Sequence, residues 1–169
     1  KNCTIAVKIE MQLGPSNTNA TIISFAQESS EGNKTVELIV PSKLDAELQV
    51  RDNRGNKNTL DVRDAFVGCT EKMCDIVVSV HGGGQTKLLV DSKAYYCTSE
   101  ANCTDATSLS GNAANGLGLS CEPGATIEEA VIGASTSGPG SDGAPGGPNA
   151  NDTLSGTVRD VAVYEEELT

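Results

Sequence analysis

From Thr4 to Leu13 the chain alternates apolar and polar residues. Ile5, Val7, Ile9 and Met11 fall at every second position, with Thr4, Lys8 and Glu10 between them. A repeat of two places these sets on opposite faces of a pleated strand, whereas a helix would need a repeat of 3.6 residues. Gly14-Pro15-Ser16-Asn17 closes the run as a turn. Ala20 to Ala26 reads as a second strand, and the polar stretch after it ends in the turn signal Gly32-Asn33. Val36, Leu38 and Val40 alternate until Pro41 stops them. Ala46, Leu48 and Val50 repeat the pattern, then a turn at Asp52-Asn53-Arg54-Gly55-Asn56 leads to Leu60, Val62 and Phe66.

Ile76 to Val80 is nearly continuous apolar sequence, as expected of a central strand covered on both faces. Gly82-Gly83-Gly84 forms a hairpin tip before a returning strand at Thr86 to Val90, and Lys93 to Cys97 fits a further short strand. Residues 98–124 are rich in Ser, Asn and Gly and read as loop. Thr126-Ile127-Glu128-Glu129 fits either a capping box opening a short helix or a strand running to Ile132. Residues 133–148 form a Gly/Pro-rich loop without a collagen repeat. The last strand is Thr157 to Tyr164. Nine or ten short strands without intervening helices predict an all-β fold, an antiparallel two-sheet jelly-roll sandwich in one domain spanning residues 1–169. Aromatic residues make up only 3% of the chain and Trp is absent, so the core must rest on Val, Ile and Leu.

The six cysteines are Cys3, Cys69, Cys74, Cys97, Cys103 and Cys121. An even set favours disulfides. The spacings predict two local bridges, Cys69–Cys74 and Cys97–Cys103, and a long one, Cys3–Cys121. Zinc is disfavoured, because the separations suit it poorly and the sole histidine, His81, lies near neither pair. Five Asn-x-Thr sequons, at Asn2, Asn19, Asn33, Asn102 and Asn151, exceed the roughly two that composition would give. Together these features predict an extracellular, secreted or cell-surface glycoprotein carrying N-linked glycans on exposed asparagines, from a eukaryotic host. The chain opens on Lys1-Asn2-Cys3 with no apolar leader, which reads as a mature or excised segment. A net charge of −11 disfavours nucleic acid and anionic lipid as partners, and no apolar stretch is long enough for membrane insertion.

Leu154-Ser155-Gly156-Thr157-Val158-Arg159-Asp160-Val161-Ala162-Val163-Tyr164, followed by Leu168-Thr169, resembles the closing strand of laminin-G-like, concanavalin A-like jelly rolls. Ala130-Val131-Ile132-Gly133-Ala134 is similar to the strand that precedes it in that family, with a variable loop between. Asp75 to Val80 and Lys87 to Asp91 resemble the central hairpin. Thr4 to Lys8 and Ala20 to Phe25 resemble two early strands. The family's Trp positions hold Val7-Lys8 and Cys74-Asp75 here, and Ser92 replaces the Gly after Asp91. The resemblance implies one more strand before Thr4. A jelly roll short of that strand has an open edge, which another chain or another part of the same chain must cover.

Catalytic machinery is not apparent. The family's glucanases carry Glu-x-Asp-x-x-Glu on one strand, and no such string occurs. Glu128-Glu129 and Glu165-Glu166-Glu167 are adjacent runs, whose neighbouring side chains alternate between faces and read as solvated acidic edges. His81 has no Gly-x-Ser-x-Gly elbow beside it, and Gly82-Gly83-Gly84-Gln85-Thr86 lacks the Gly-Lys-Ser/Thr of a phosphate loop. The chain is therefore read as a non-enzyme without a cofactor. Calcium stays open through the family resemblance, with Asp52, Asp105, Asp142 and Asp152 as loop acids but no dense ligand cluster. Two functions fit. One is a structural or interaction module of an extracellular surface or filamentous assembly, self-associating by strand exchange at edges near residues 3–13 and 157–164. The other is a laminin-G-like lectin binding glycans or protein partners, with the loops around 98–118 and 133–152 as its rim and Tyr95 or Tyr96 as a stacking plate.

Overall fold

The period-two runs become strands that pair into two sheets. The computed structural model describes residues 4–14, 19–30, 32–81, 86–99, 102–104, 109–111, 119, 122–137, 146–149 and 153–164. Within them lie β1 (Thr4–Leu13), β2 (Ala20–Glu28), β3 (Lys34–Val40), β4 (Ala46–Asp52), β5 (Lys57–Val62), β6 (Cys74–His81), β7 (Thr86–Val90) and β8 (Lys93–Ser99). The remainder are β9 (Asn102–Cys103), β10 (Leu109–Gly111), β11 (Thr126–Ile132), β12 (Ser135–Ser137), β13 (Gly146–Asn149) and β14 (Gly156–Tyr164).

One sheet, here sheet A, has the order β14-β1-β6-β7-β8-β9, and sheet B the order β10-β5-β4-β3-β2-β11, while β12 and β13 form a separate ribbon. The pairings within these sheets are antiparallel. The chain crosses between sheets after β1, after β5, after β9 and again before β14, which makes an antiparallel jelly-roll sandwich. The Thr126 segment is a strand and not a helix. Fourteen strands lie among the described residues where nine or ten were expected, because β9, β10, β12 and β13 lie in segments read as loop.

The core is the inward-facing half of each alternation. Val7, Ile9 and Met11 of β1 and Ile76, Val78 and Val80 of β6 meet Ile23, Phe25, Val36, Leu38, Leu48 and Leu60 of sheet B. β6 is central, between β1 and β7, but only one of its faces is fully covered: Val77 on the other is half-buried. Phe66, expected to continue the β5 pattern, instead leads into a 3-10 turn (Val67–Cys69) and is completely buried.

Polar groups fix the turns. The Asp52 carboxylate accepts hydrogen bonds from the backbone N–H of Arg54 (2.9 Å) and Asn56 (2.8 Å) and from Asn56 Nδ2 (2.7 Å), so its pKa is lowered, chiefly by the Asn56 side chain. Asp91 accepts from Lys72 Nζ at 2.9 Å and from the Asp75 N–H at 3.0 Å, tying the β7–β8 turn to the start of β6 and lowering its pKa. The Cys69–Cys74 disulfide staples the 3-10 turn to β6. Cys97 is disulfide-bonded and stands opposite Cys103 across β8 and β9. Cys3 and Cys121 lie outside the described residues.

Candidate functional site

On one side β14 ends sheet A and β11 ends sheet B, with no further described strand beyond either. Register fixes which β14 side chains point inward: Val163 stands opposite Val7, Val161 opposite Ile9 and Val158 opposite Met11. Their partners on β1 are buried, yet Val158, Val161 and Val163 are 38%, 45% and 56% exposed. These residues face the interior of the sandwich yet stand open to solvent. On sheet B, Ala130 stands opposite Phe25 and Ile132 opposite Ile23, so β11 also turns its apolar side inward. Ala130 is exposed and Ile132 only half-buried.

Between these edges lies an apolar groove of about 260 Å³, lined by Val7, Ile23, Phe25, Ile127, Ile132 and Val163 among others. Its lip is acidic. A bulge opposite β2 at Ile127/Glu129 throws Glu128 out of register, and Glu28 beside it raises the Glu128 pKa by hydrogen bonding and charge repulsion. Glu129 stands opposite Ala26, on the outer side of β11. Its Oε2 is buried and has no hydrogen-bond partner among the described residues. Arg159 reaches Glu10 Oε1 at 3.4 Å from a second bulge, in β14. Of the two segments expected near pairing edges, residues 157–164 belong to β14, which ends sheet A, and residues 4–13 form the strand next to it, β1, paired on both sides by β14 and β6.

The other residues singled out in the sequence are dispersed. Asn19 is exposed at the entry to β2, with a left-handed backbone (φ 56°), and Asn33 is half-buried just before β3. Asn102 belongs to β9, while Asn2 and Asn151 lie outside the described residues, as do Asp105, Asp142, Asp152, Gly82-Gly83-Gly84 and Glu165-Glu166-Glu167. His81 is half-buried at the end of β6, its Nδ1 3.0 Å from Thr4 Oγ1. Tyr95 is buried, and Tyr96 has Lys87 Nζ 5.4 Å from its ring centre. Among the described residues no three His, Cys, Asp or Glu side chains gather as metal ligands would. No helix among them is long and apolar enough to cross a membrane. No protein-family model matches the chain, and neither a curated protein nor a solved structure matches it.

One feature of sheet B lies apart from the groove. Glu47 and Asp61 are cross-strand neighbours on its outer face, and Asp61 is held above the usual carboxylate range, first by burial and then by the Glu47 charge. Lys57 Nζ sits 3.3 Å from Glu47 Oε1 and offsets part of this.

The groove was only half legible. Nothing in the sequence placed an opening between β14 and β11. Its trace in the sequence is the alternation of Val161 and Val163 in the last described strand.

Proposed function

We propose that this chain is a non-catalytic extracellular module of the laminin-G-like kind, a glycosylated subunit of a surface or filamentous assembly. Its neighbours join by strand exchange, one subunit supplying an extended segment to the groove between β14 and β11 of the next. The observation that carries this reading is the apolar groove itself. Inward-facing valines 45% and 56% exposed are a cost that a closed sandwich avoids. Unpaired strand edges favour addition of a further strand, since backbone hydrogen bonds then complete on both sides. Disulfides and sequons suit the extracellular setting.

A lectin reading has less support. Of the two tyrosines expected to serve as a stacking plate, Tyr95 is buried and Tyr96 has Lys87 standing over its ring. Electron microscopy of native, untagged material separates the two. Repeating subunits joined by an exchanged strand are the expected result. Isolated particles with a sandwich closed by their own chain would turn the reading toward the lectin, with a glycan screen as the next step.

A further inference from the structure

Two of the five sequons hold a cysteine at their middle position, Asn2-Cys3-Thr4 and Asn102-Cys103-Thr104. Resting on the extracellular glycoprotein reading above, we infer that Asn102 is a conditional glycosylation site. Its glycan is added only to chains whose Cys97–Cys103 bridge has not yet closed, so the rate of oxidation sets how many chains carry it.

The bridge follows from register. Cys97 is disulfide-bonded. Cys69 and Cys74 are bonded to each other, which leaves Cys3, Cys103 and Cys121 as candidate partners. Cys103 stands directly opposite Cys97 across β8 and β9. Cα atoms paired in this way lie about 4.5–5.5 Å apart, within the span that a disulfide bridges.

The same hairpin holds the acceptor triplet. Asn102 pairs with Ser99, and the Thr104 N–H donates to the Tyr96 carbonyl at 2.8 Å. For transfer the triplet must leave this pairing and bend as a turn in an enzyme's site. The Asn102 carboxamide nitrogen then bonds to the anomeric carbon of a lipid-linked oligosaccharyl pyrophosphate, loses one proton and releases the lipid pyrophosphate. With the thiols still reduced, only backbone hydrogen bonds oppose that departure. Closure forms an S–S bond by exchange with an oxidant's disulfide, which takes up the two protons and two electrons as a dithiol. From then on the centre of the triplet is tied covalently to β8.

The two cysteine-bearing sequons differ in when they close. Cys97 and Cys103 are six residues apart, so their ends meet as soon as both are made, and thiol oxidation alone limits the bridge. Cys3 is left with Cys121, 118 residues further on. At 5–20 residues per second that gap is on the order of ten seconds of synthesis, during which the Asn2 triplet stays open. Asn2 is thus the control that has the same residues without the local bridge. Since β9 ends sheet A, the two forms of the chain differ in whether that edge carries a bulky polar cover.

The test makes the intact chain in cultured eukaryotic cells. Occupancy at each sequon is read by peptide mass spectrometry after enzymatic deglycosylation in heavy-oxygen water. Chains are taken from inside the cells, so a variant that fails to fold still reports. Three samples are compared: wild type, wild type made with a membrane-permeant dithiol, and Cys97→Ser/Cys103→Ser, which keeps an Asn-x-Thr triplet at 102–104. Asn102 should be incompletely occupied in wild type and rise at least about twofold in the other two, because the oxidation it races against is gone. Asn2, Asn19 and Asn33 should hold steady. Unchanged Asn102 occupancy in the double variant would overturn the inference. So would an equal rise at Asn2 and Asn19, or a disulfide map joining Cys97 to any cysteine but Cys103. Glycans absent from every sequon in all three samples would instead sink the glycoprotein reading on which the inference rests.

Discussion

Phe66 shows how much a core poor in aromatics depends on single side chains. It is one of two phenylalanines in the chain, fully buried at the start of a 3-10 turn, next to the Cys69–Cys74 staple. Phe66→Ala should cost about 3–5 kcal/mol in chemical denaturation, the range for removing a buried aromatic ring. Asp61 acts in the opposite sense. Its folded pKa is raised by burial and by Glu47, so the native state holds the proton more tightly than the unfolded chain. Stability is then lost as pH rises from the ordinary carboxylate pKa of about 3.9 through the raised value. Asp61→Asn, whose amide can donate to Glu47, should raise Tm at neutral pH and leave it nearly unchanged below about pH 3. Thermal melts at the two pH values check this, and an equal gain at both would show that the charge is not the cause.

Among the elements, those that alternate were readable and those that do not were hidden. β1 and β3 carry buried residues at every second position, and the burial follows the pattern read from sequence. β13 is Gly-Gly-Pro-Asn, whose pairing with Ser135–Ser137 rests on backbone bonds and leaves no periodic trace. The β1–β14 pair has a tight point of its own. At Gly156 a Cβ would collide with the Gln12 carbonyl oxygen and the Leu13 Cα, both backbone atoms that cannot step aside. Gly156→Ala should therefore destabilise by about 2–4 kcal/mol and loosen the start of β14 first; amide exchange in Thr157–Val158 is the readout. Replacing Cys69 and Cys74 together by Ala should lower stability by about 2 kcal/mol, the closure entropy of so short a loop.

At the scale of the whole molecule, the sandwich was legible because strand-forming runs followed one another without helical repeats between them. The open side was not, because exposure of Val161 and Val163 depends on what lies opposite, which no local pattern records. Val163→Glu should leave the isolated fold intact, since the side chain already meets water. It should abolish assembly, since burying a carboxylate against Phe25 and Ile23 is costly. Light scattering and thermal melting on the same sample separate these two effects.

The register of β1 against β14 also sets how the molecule bears load. Ala6 stands opposite Tyr164, so the start of the first strand and the finish of the last leave the sandwich at one end, side by side. Tension applied between those two points peels the strands apart like a zipper, breaking one backbone bond at a time, and yields at low force. Under the proposed strand exchange, tension along the inserted strand instead shears its ladder, with the bonds resisting together. A fibre held through its inserted strands would be tougher than one pulled through the two ends of each sandwich.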